Sequence, residues 1–343
     1  MLRIIQNVLV SSLGNDSSTS QEVPFLGKRG LREDISAREA EREGQALRAT
    51  TLSVIARLTV AYADLAFTHQ ALDILQRNKG FLQDLQKSAE ARYQVGQGIQ
   101  QDVVKSQVEV SLLTSRLIQF ERKREGLTAT INGLLNRPPF APLGTPAPLQ
   151  KSRFTPTLEE VRELALTHSP DLKGAEIAIA RNELNLSLAQ REYYPDLVFK
   201  TAYVNKAARL PEWEVGVGVK IPLYFWRKQR YGVLEAAESA GEARSTRQNV
   251  MQTLLARVKD FYVQARTAEQ LVTLYQTTII PQSHLSLESA SAGYTVGKVD
   301  FLTLLNNIIV LREAELSSEE QFAEFEKSVA QLEEIVGSPL AGK

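Results

Sequence analysis

The chain has 343 residues, with 40 basic and 40 acidic side chains and no cysteine. Balanced charge leaves no net field to draw it to nucleic acid, so no nucleic-acid partner is expected. Without cysteine there is no disulfide, no thiol catalysis and no thiolate metal site, a composition that suits an oxidising compartment.

No run of about 18 apolar residues is expected, which argues against a membrane-spanning helix. A β-barrel stays open, because its signal is far weaker per segment. The first residues, Met1-Leu-Arg-Ile-Ile-Gln-Asn-Val8, lack the apolar stretch and small-residue cleavage site of a secretory signal. A first strand falls over Leu2–Val10 or is missing, and a second, weakly alternating one is expected at about Ser17–Val23. A helical run then extends from Gly30 to Val95. After a glycine turn, a return helix covers about Gln100–Asn136. The Pro-rich segment Arg137–Pro148 ends it. A short helix around Leu158–Thr167 and another from Ser169 to about Glu192 follow.

Two strands come next, the first within Tyr193–Asn205 and the second over Glu212–Pro222, with a loop at Lys206–Pro211. The second alternates throughout. Trp213, Val215, Val217, Val219 and Ile221 share one face, while Glu214, Gly216, Gly218 and Lys220 share the other. Its length of about nine residues suffices to cross a bilayer at a tilt. Aromatics crowd the ends, with Tyr193 and Tyr194 on one side and Tyr224, Phe225 and Trp226 on the other, as in an interfacial belt. A half-buried sheet of a soluble protein gives the same alternation. Beyond it, helical text runs from Lys228 to Val296, with a local bend expected at Pro281, and returns over Asp300–Val336.

The text is written twice. Ala91-Arg-Tyr-Gln-Val-Gly96 recurs as Ala292-Gly-Tyr-Thr-Val-Gly297, an offset of 201 (297 − 96), and Leu134–Pro138 maps onto Ile335–Pro339 at the same offset. Val23-Pro24-Phe25 answers Ile221-Pro222-Leu223 at 198 (222 − 24). Apolar residues in the helices step by threes and fours, as at Val250, Leu254, Val258, Phe261, Ala265, Ala268 and Val272, which is coiled-coil periodicity. The fold class expected is mainly α with a small β part, as two tandem repeats of long coiled-coil hairpins joined to β-strands. Residues 1–138 form the first repeat, 139–157 a Pro-rich linker and 158–343 the second, with its β-hairpin at 195–222. Either outgoing run would be about 100 Å long as a helix. Periodicity alone also fits a cytoplasmic coiled-coil rod. The first repeat lacks a leading helix and supplies only about three strands with the second, so the chain reads as truncated at its N-terminus.

Gln21-Glu-Val-Pro-Phe-Leu-Gly-Lys28, Tyr93–Ser106, Ser169-Pro-Asp-Leu172 and Tyr294–Asn307 together resemble the TolC-like outer-membrane efflux family, from Gln21 to Pro339. The first segment looks closest to the branch serving heavy-metal exporters. The resemblance implies a homotrimeric channel in the outer membrane, each protomer giving four strands to a shared twelve-strand β-barrel and its long helices to a periplasmic α-barrel. The Pro-rich linker would lie in an equatorial belt. The channel would be the passive exit duct of a tripartite system, working with a periplasmic adaptor (membrane fusion) protein and an inner-membrane RND-type pump. A periplasmic coiled-coil adaptor and a type I secretion outer-membrane component are the alternative readings.

The same resemblance assigns sites. The turns Val95-Gly96-Gln97 and Val296-Gly297-Lys298 would be the adaptor-docking tips; on physics alone they are helix-hairpin turns needing glycine's positive φ. A gate would link Tyr294 to Asp102, with Thr303 and Asn306 at the positions where some relatives carry acidic rings. Trp213, Val215, Val217, Val219 and Ile221 would face outer-membrane lipid. His69, His168 and His284 are far apart in the sequence, and no nucleophile–base pair or zinc spacing is present. No enzyme, metal or cofactor is expected.

Overall fold

The computed structural model describes residues 9–13, 16–149, 154–204, 212–224 and 226–340, with side chains placed from residue 18 onward. Its contacts divide it into two units. One holds the residues up to Arg48 with Pro170–Thr253, the other Ala49–Ser169 with the residues from Leu254 on.

The first unit contains a sheet of four antiparallel strands, β1 (Leu9–Leu13), β2 (Asp16–Val23), β3 (Asp196–Val204) and β4 (Glu212–Lys220), in that order. This corrects the expectation of about three strands. Residues 2–8 of the anticipated Leu2–Val10 strand lie outside the described residues, and β1 instead pairs from Leu9↔Ser20 to Leu13↔Asp16. Between the paired ends the sequence reads Gly14-Asn15, a composition favoured in two-residue hairpin turns. That turn signal marks the strand better than its alternation does. Register on the other side runs from Ser17↔Tyr203 to Val23↔Leu197, then from Asp196↔Lys220 to Val204↔Glu212. The anticipated loop at 206–211 lies outside the described residues.

Pro24 cannot donate to the ladder, and the chain leaves the sheet there for α1 (Lys28–Gln94). The junction is pinned to the start of β3. Phe25 N–H donates to Asp196 Oδ1 at 2.7 Å, and Lys28 Nζ donates to the same oxygen at 2.8 Å and to the Tyr194 carbonyl at 2.9 Å. The Phe25 and Tyr194 rings stack with centroids 4.7 Å apart. Gly27 sits at φ +86°, and a Cβ there would collide with the Arg191 guanidinium, which donates to the Leu26 carbonyl at 2.8 Å. Ion pairs tie α4 (Pro170–Arg191) to α1 through Arg181–Glu39 and to α5 (Lys228–Leu274) through Arg244–Glu183 and Arg247–Glu176.

In the second unit α1 runs into a turn and returns as α2 (Gln100–Leu134). The Pro-rich segment and α3 (Leu158–His168) follow, the latter started by a capping box between Thr157 and Glu160. The end of α5, α6 (Ile280–Thr295) and α7 (Phe301–Val336) complete it. The core is a coiled-coil seam. Ala71, Leu75, Leu82, Leu85 and Ala89 of α1 pack in one cluster with Leu113 and Leu117 of α2 and with Leu304, Ile308 and Leu316 of α7. One 18-residue window of α1 reaches a mean hydropathy of 1.2, so by length and composition alone this helix could cross a membrane. That corrects the expectation that no such stretch exists. Of that window 33% is buried inside the fold.

Pro281 does not break its helix. Tyr275–Ile279 form a π turn, and Ile280 N–H donates to the Tyr275 carbonyl, five residues back. A proline ring clashes with the carbonyl four residues earlier, and the wider turn makes room. The duplication explains the extra residue. Ala56-Arg57 and Tyr62 answer Ala256-Arg257 and Tyr262 at an offset of 200 (262 − 62), whereas the turns beyond answer at 201 (297 − 96). The single inserted residue is absorbed in the π turn.

Lys28 is only 2% exposed, so its pair with Asp196 should matter more than the surface pairs. Lys28→Met is expected to cost about 3 kcal/mol in chemical denaturation of the detergent-solubilised protein, by stranding a half-covered carboxylate. Arg244→Gln, which breaks an exposed pair, should cost about 0.5 kcal/mol or less.

Candidate functional site

In the second unit the two helical hairpins end in matching turns. Gly96 N–H donates to the Tyr93 carbonyl at 3.0 Å and Gln97 N–H to Arg92 at 2.8 Å; Gly297 donates to Tyr294 at 3.2 Å and Lys298 to Gly293 at 2.8 Å. Each is a Schellman motif with its glycine in the left-handed region, φ +72° at Gly96 and +74° at Gly297. The far ends of the return helices also turn through left-handed residues 201 apart (337 − 136), Asn136 (φ +53°) in a Schellman pair with Arg137 N–H on the Asn132 carbonyl, and Gly337 (φ +80°) with its N–H on the Glu333 carbonyl. Val95 and Val296 are 68% and 67% exposed, and Gln97 and Lys298 are exposed beside them.

The tips differ in what surrounds the tyrosines. Tyr93 is 47% exposed, but Tyr294 is 8% exposed. Its ring packs edge-on against Phe301 and beneath the Arg92 guanidinium, 4.3 Å from the ring centroid, while Arg92 Nη2 donates to the Tyr294 carbonyl at 3.2 Å. Arg92 therefore binds one tip to the other. The second repeat has Gly293 in its place, where a Cβ would collide with Val299. Neither Arg92 nor Asp300 was singled out by the sequence reading. Asp300 caps α7, accepting from Thr303 N–H at 2.8 Å and from its hydroxyl at 3.0 Å, and the Asp-x-x-Thr spacing before an apolar run was the available signal. These bonds hold the Asp300 carboxyl below its usual range.

Of the anticipated gate residues, Thr303 is thus engaged by Asp300, and Asn306 is exposed. Asn307 donates to the Thr303 carbonyl at 2.8 Å and accepts from Ser286 at 2.6 Å. The expected phenol–carboxylate bond is not made within the chain. The Tyr294 hydroxyl and the Asp102 carboxylate each lack a hydrogen bond among the described residues. Burial, and then the Asp300 carboxylate, push the Asp102 carboxyl above its usual range. His69, lowered by burial and then by Arg124, is a half-buried residue of α1, and no cluster of metal-binding side chains occurs among the described residues.

In the first unit the sheet keeps one apolar face uncovered. Trp213, Val215, Val217, Val219 and Ile221 are 73%, 79%, 66%, 54% and 61% exposed. Register continues this face across β3, opposite Trp213 at Tyr203, Val217 at Phe199 and Val219 at Leu197, and the Tyr203 and Trp213 rings lie 5.1 Å apart. The other face is mixed, with Val198, Ala202 and Val204 of β3 among charged and small residues and Lys220 paired to Glu22 at 3.1 Å. Tyr194, Tyr224 and Trp226 are exposed at the strand ends, and Phe225 lies outside the described residues. Among the described residues, the outer edges of β1 and β4 have no strand beside them in the sheet.

A sheet greasy on the outside and open at both edges, carried by helical hairpins with exposed glycine turns, defines the subunit of an outer-membrane channel. The family model for outer membrane efflux proteins matches residues 161–338, 178 of the 343 (338 − 161 + 1). The chain belongs to that family, and it is an outer-membrane efflux channel protein whose helices extend into the periplasm. Its fold is that of the outer membrane protein VceC of Vibrio cholerae, with a TM-score of 0.83 at 14% identity over 97% of this chain and 86% of that one. It is also that of the outer membrane channels CmeC of Campylobacter jejuni (0.81, 14%, 95% and 71%) and MtrE of Neisseria gonorrhoeae (0.74, 18%, 97% and 80%). No curated protein matches the sequence.

At the tips, Gly297→Ala should cost about 1 kcal/mol, read as a lowered thermal midpoint, because the left-handed backbone is strained for any residue with a Cβ. For Asp102 the sign follows from its raised carboxyl. The fold tolerates the protonated form best, so stability is complete below the unfolded value and falls as pH rises through the folded one. Asp102→Asn is therefore expected to raise the midpoint at pH 7 and to leave it unchanged below about pH 3. On the sheet, Val217→Arg should cost about 2–4 kcal/mol in lipid, measured by reversible unfolding from bilayers.

Proposed function

We propose that three copies of this chain close their sheets edge to edge into one twelve-strand barrel, forming a passive exit duct driven by an inner-membrane pump. The observation that carries this reading is the four-stranded sheet with an uncovered apolar face and two free edges. Family members form homotrimeric channels that work with adaptors and inner-membrane pumps. In this reading a periplasmic adaptor docks on the exposed turns Val95-Gly96-Gln97 and Val296-Gly297-Lys298, with an RND-type pump beyond it.

The gate is formed between copies. Tyr294 and Asp102, unbonded within one chain, meet across the subunit boundary, where a phenol–carboxylate bond is charge-assisted and breakable by a partner's pull. Thr303 and Asn306 make the constriction polar rather than acidic. Arg92 holds the two tips of each chain together while this happens.

Light scattering on the purified protein in detergent, followed by insertion into planar bilayers, tests the reading. A three-chain species with discrete single-channel steps is expected, and the steps should grow longer-lived in Asp102→Ala. A protein that stays monomeric, or a trimer that never conducts in either form, overturns it.

A further inference from the structure

The two long helices that leave the sheet begin with the same charged text. Arg29 and Arg32 answer Arg227 and Arg230 at an offset of 198 (227 − 29), the offset that also relates Pro24 to Pro222, and Lys228 adds a fifth cation. Residues 23–32 and 219–232 contain no acid. Such text works against the helices it starts. The N-terminal end of a helix carries partial positive charge and favours carboxylates. α2, α3 and α4 obey, with Asp102, Glu159 beside Glu160, and Asp171 in their first turns, whereas α1 and α5 have no acid there. Local helix stability therefore does not account for these cations.

Neighbouring acids do not account for them either. Glu22 is paired with Lys220, and Asp196 is held by Lys28 and by Phe25 N–H. Glu33 and Asp34 follow on α1, Glu235 on α5, and Glu192 lies just past α4. None of the five cations makes a side-chain hydrogen bond or ion pair with these or any other described residue; Arg32 acts on Asp196 through charge alone. All five are exposed. They are so with α4 in place, paired to α1 through Arg181–Glu39 and to α5 through Arg244–Glu183, and α4 itself ends in a cation, Arg191.

Register puts both helix starts at one end of the sheet. Val23 and Val219 flank Leu197 on a single row, so β2 and β4 end side by side. From that row the uncovered face continues through exposed Leu26 on one strand exit and through exposed Leu223, Tyr224 and Trp226 on the other. The cations come next on both. Apolar, then aromatic or large, then cationic is the order of hydrocarbon core, interface and headgroup across a bilayer. Four of the five are arginines, whose planar fork matches phosphate oxygens. The helices extend into the periplasm, so this end of the sheet meets the leaflet on that side.

We propose that Arg29, Arg32, Arg227, Lys228 and Arg230 form a basic collar that binds the phosphates of anionic phospholipids in the leaflet facing the periplasm. The collar sets the depth of the sheet, because its charges stop at the headgroups while the aromatic rim enters the interface. This rests on the reading that the sheet lies in lipid, and it adds which lipid is selected and by which residues.

The test is flotation of the full chain, diluted from detergent into vesicles of phosphatidylcholine alone or with about 30% phosphatidylglycerol. At about 50 mM salt the anionic vesicles should take up the protein roughly tenfold better, and less than about twofold better at about 500 mM. Replacing all five cations by glutamine should abolish the preference and leave uptake by phosphatidylcholine unchanged. Replacing the four arginines by lysine should keep a preference of about fivefold, which separates loss of charge from loss of fold. Arg38→Gln with Arg42→Gln, which removes two cations already paired with glutamates further along α1, should leave the full preference. Equal uptake of the unaltered protein by both vesicles overturns the proposal, and so does a preference that survives in the glutamine variant. Failure to enter either kind of vesicle overturns the lipid reading of the sheet, and the collar with it.

Discussion

The interaction on which the rest depends is one this chain cannot complete alone. Backbone N–H and C=O groups along the outer edges of β1 and β4 need strands beside them, and the apolar row from Trp213 to Ile221 needs a medium other than water. Each large apolar side chain left in water forgoes about 1.5–3 kcal/mol. A lipid bilayer satisfies the face, and the proposed ring closure with further copies would satisfy the edges. The buried Lys28–Asp196 pair then has a clear purpose, because it fixes the direction in which the chain leaves a sheet embedded in lipid.

At the glycine turns the physics is local. Two turns share the same Schellman pair of bonds, since a left-handed glycine lets the last carbonyls of a helix find donors without extra residues. Their surroundings have diverged. Arg92 and Gly98 stand where the second repeat has Gly293 and Val299, so the bulky residue sits before the turn in one copy and after it in the other. That exchange buries Tyr294 under Arg92 and leaves Tyr93 in solvent. Two equivalent tips would offer a partner identical contacts; these offer different ones.

The same divergence after duplication appears elsewhere. One inserted residue became a π turn ahead of Pro281 instead of a kink. The exits of the return helices are clamped by different side chains, Asn132 donating to the Pro139 and Ala141 carbonyls and Glu333 accepting from Leu340 N–H. Among the described residues, α3 covers the apolar shoulder of the second repeat.

Periodicity in the sequence determined the helices, the internal duplication, the alternating strand and the positive-φ glycines, because each follows from constraints within a few residues: a 3.5 or 2.0 repeat, or a backbone angle only glycine takes freely. It did not determine β1, whose pairing rests on a partner strand, nor the roles of Arg92 and Asp300, which depend on what stands across the turn. The link anticipated between Tyr294 and Asp102 is absent within one chain for the same reason: the fold turns the ring toward Phe301 and Arg92, and leaves the carboxylate facing Asp300. Contacts between residues some 200 positions apart are set by how helices pack, and only the tertiary structure decides them.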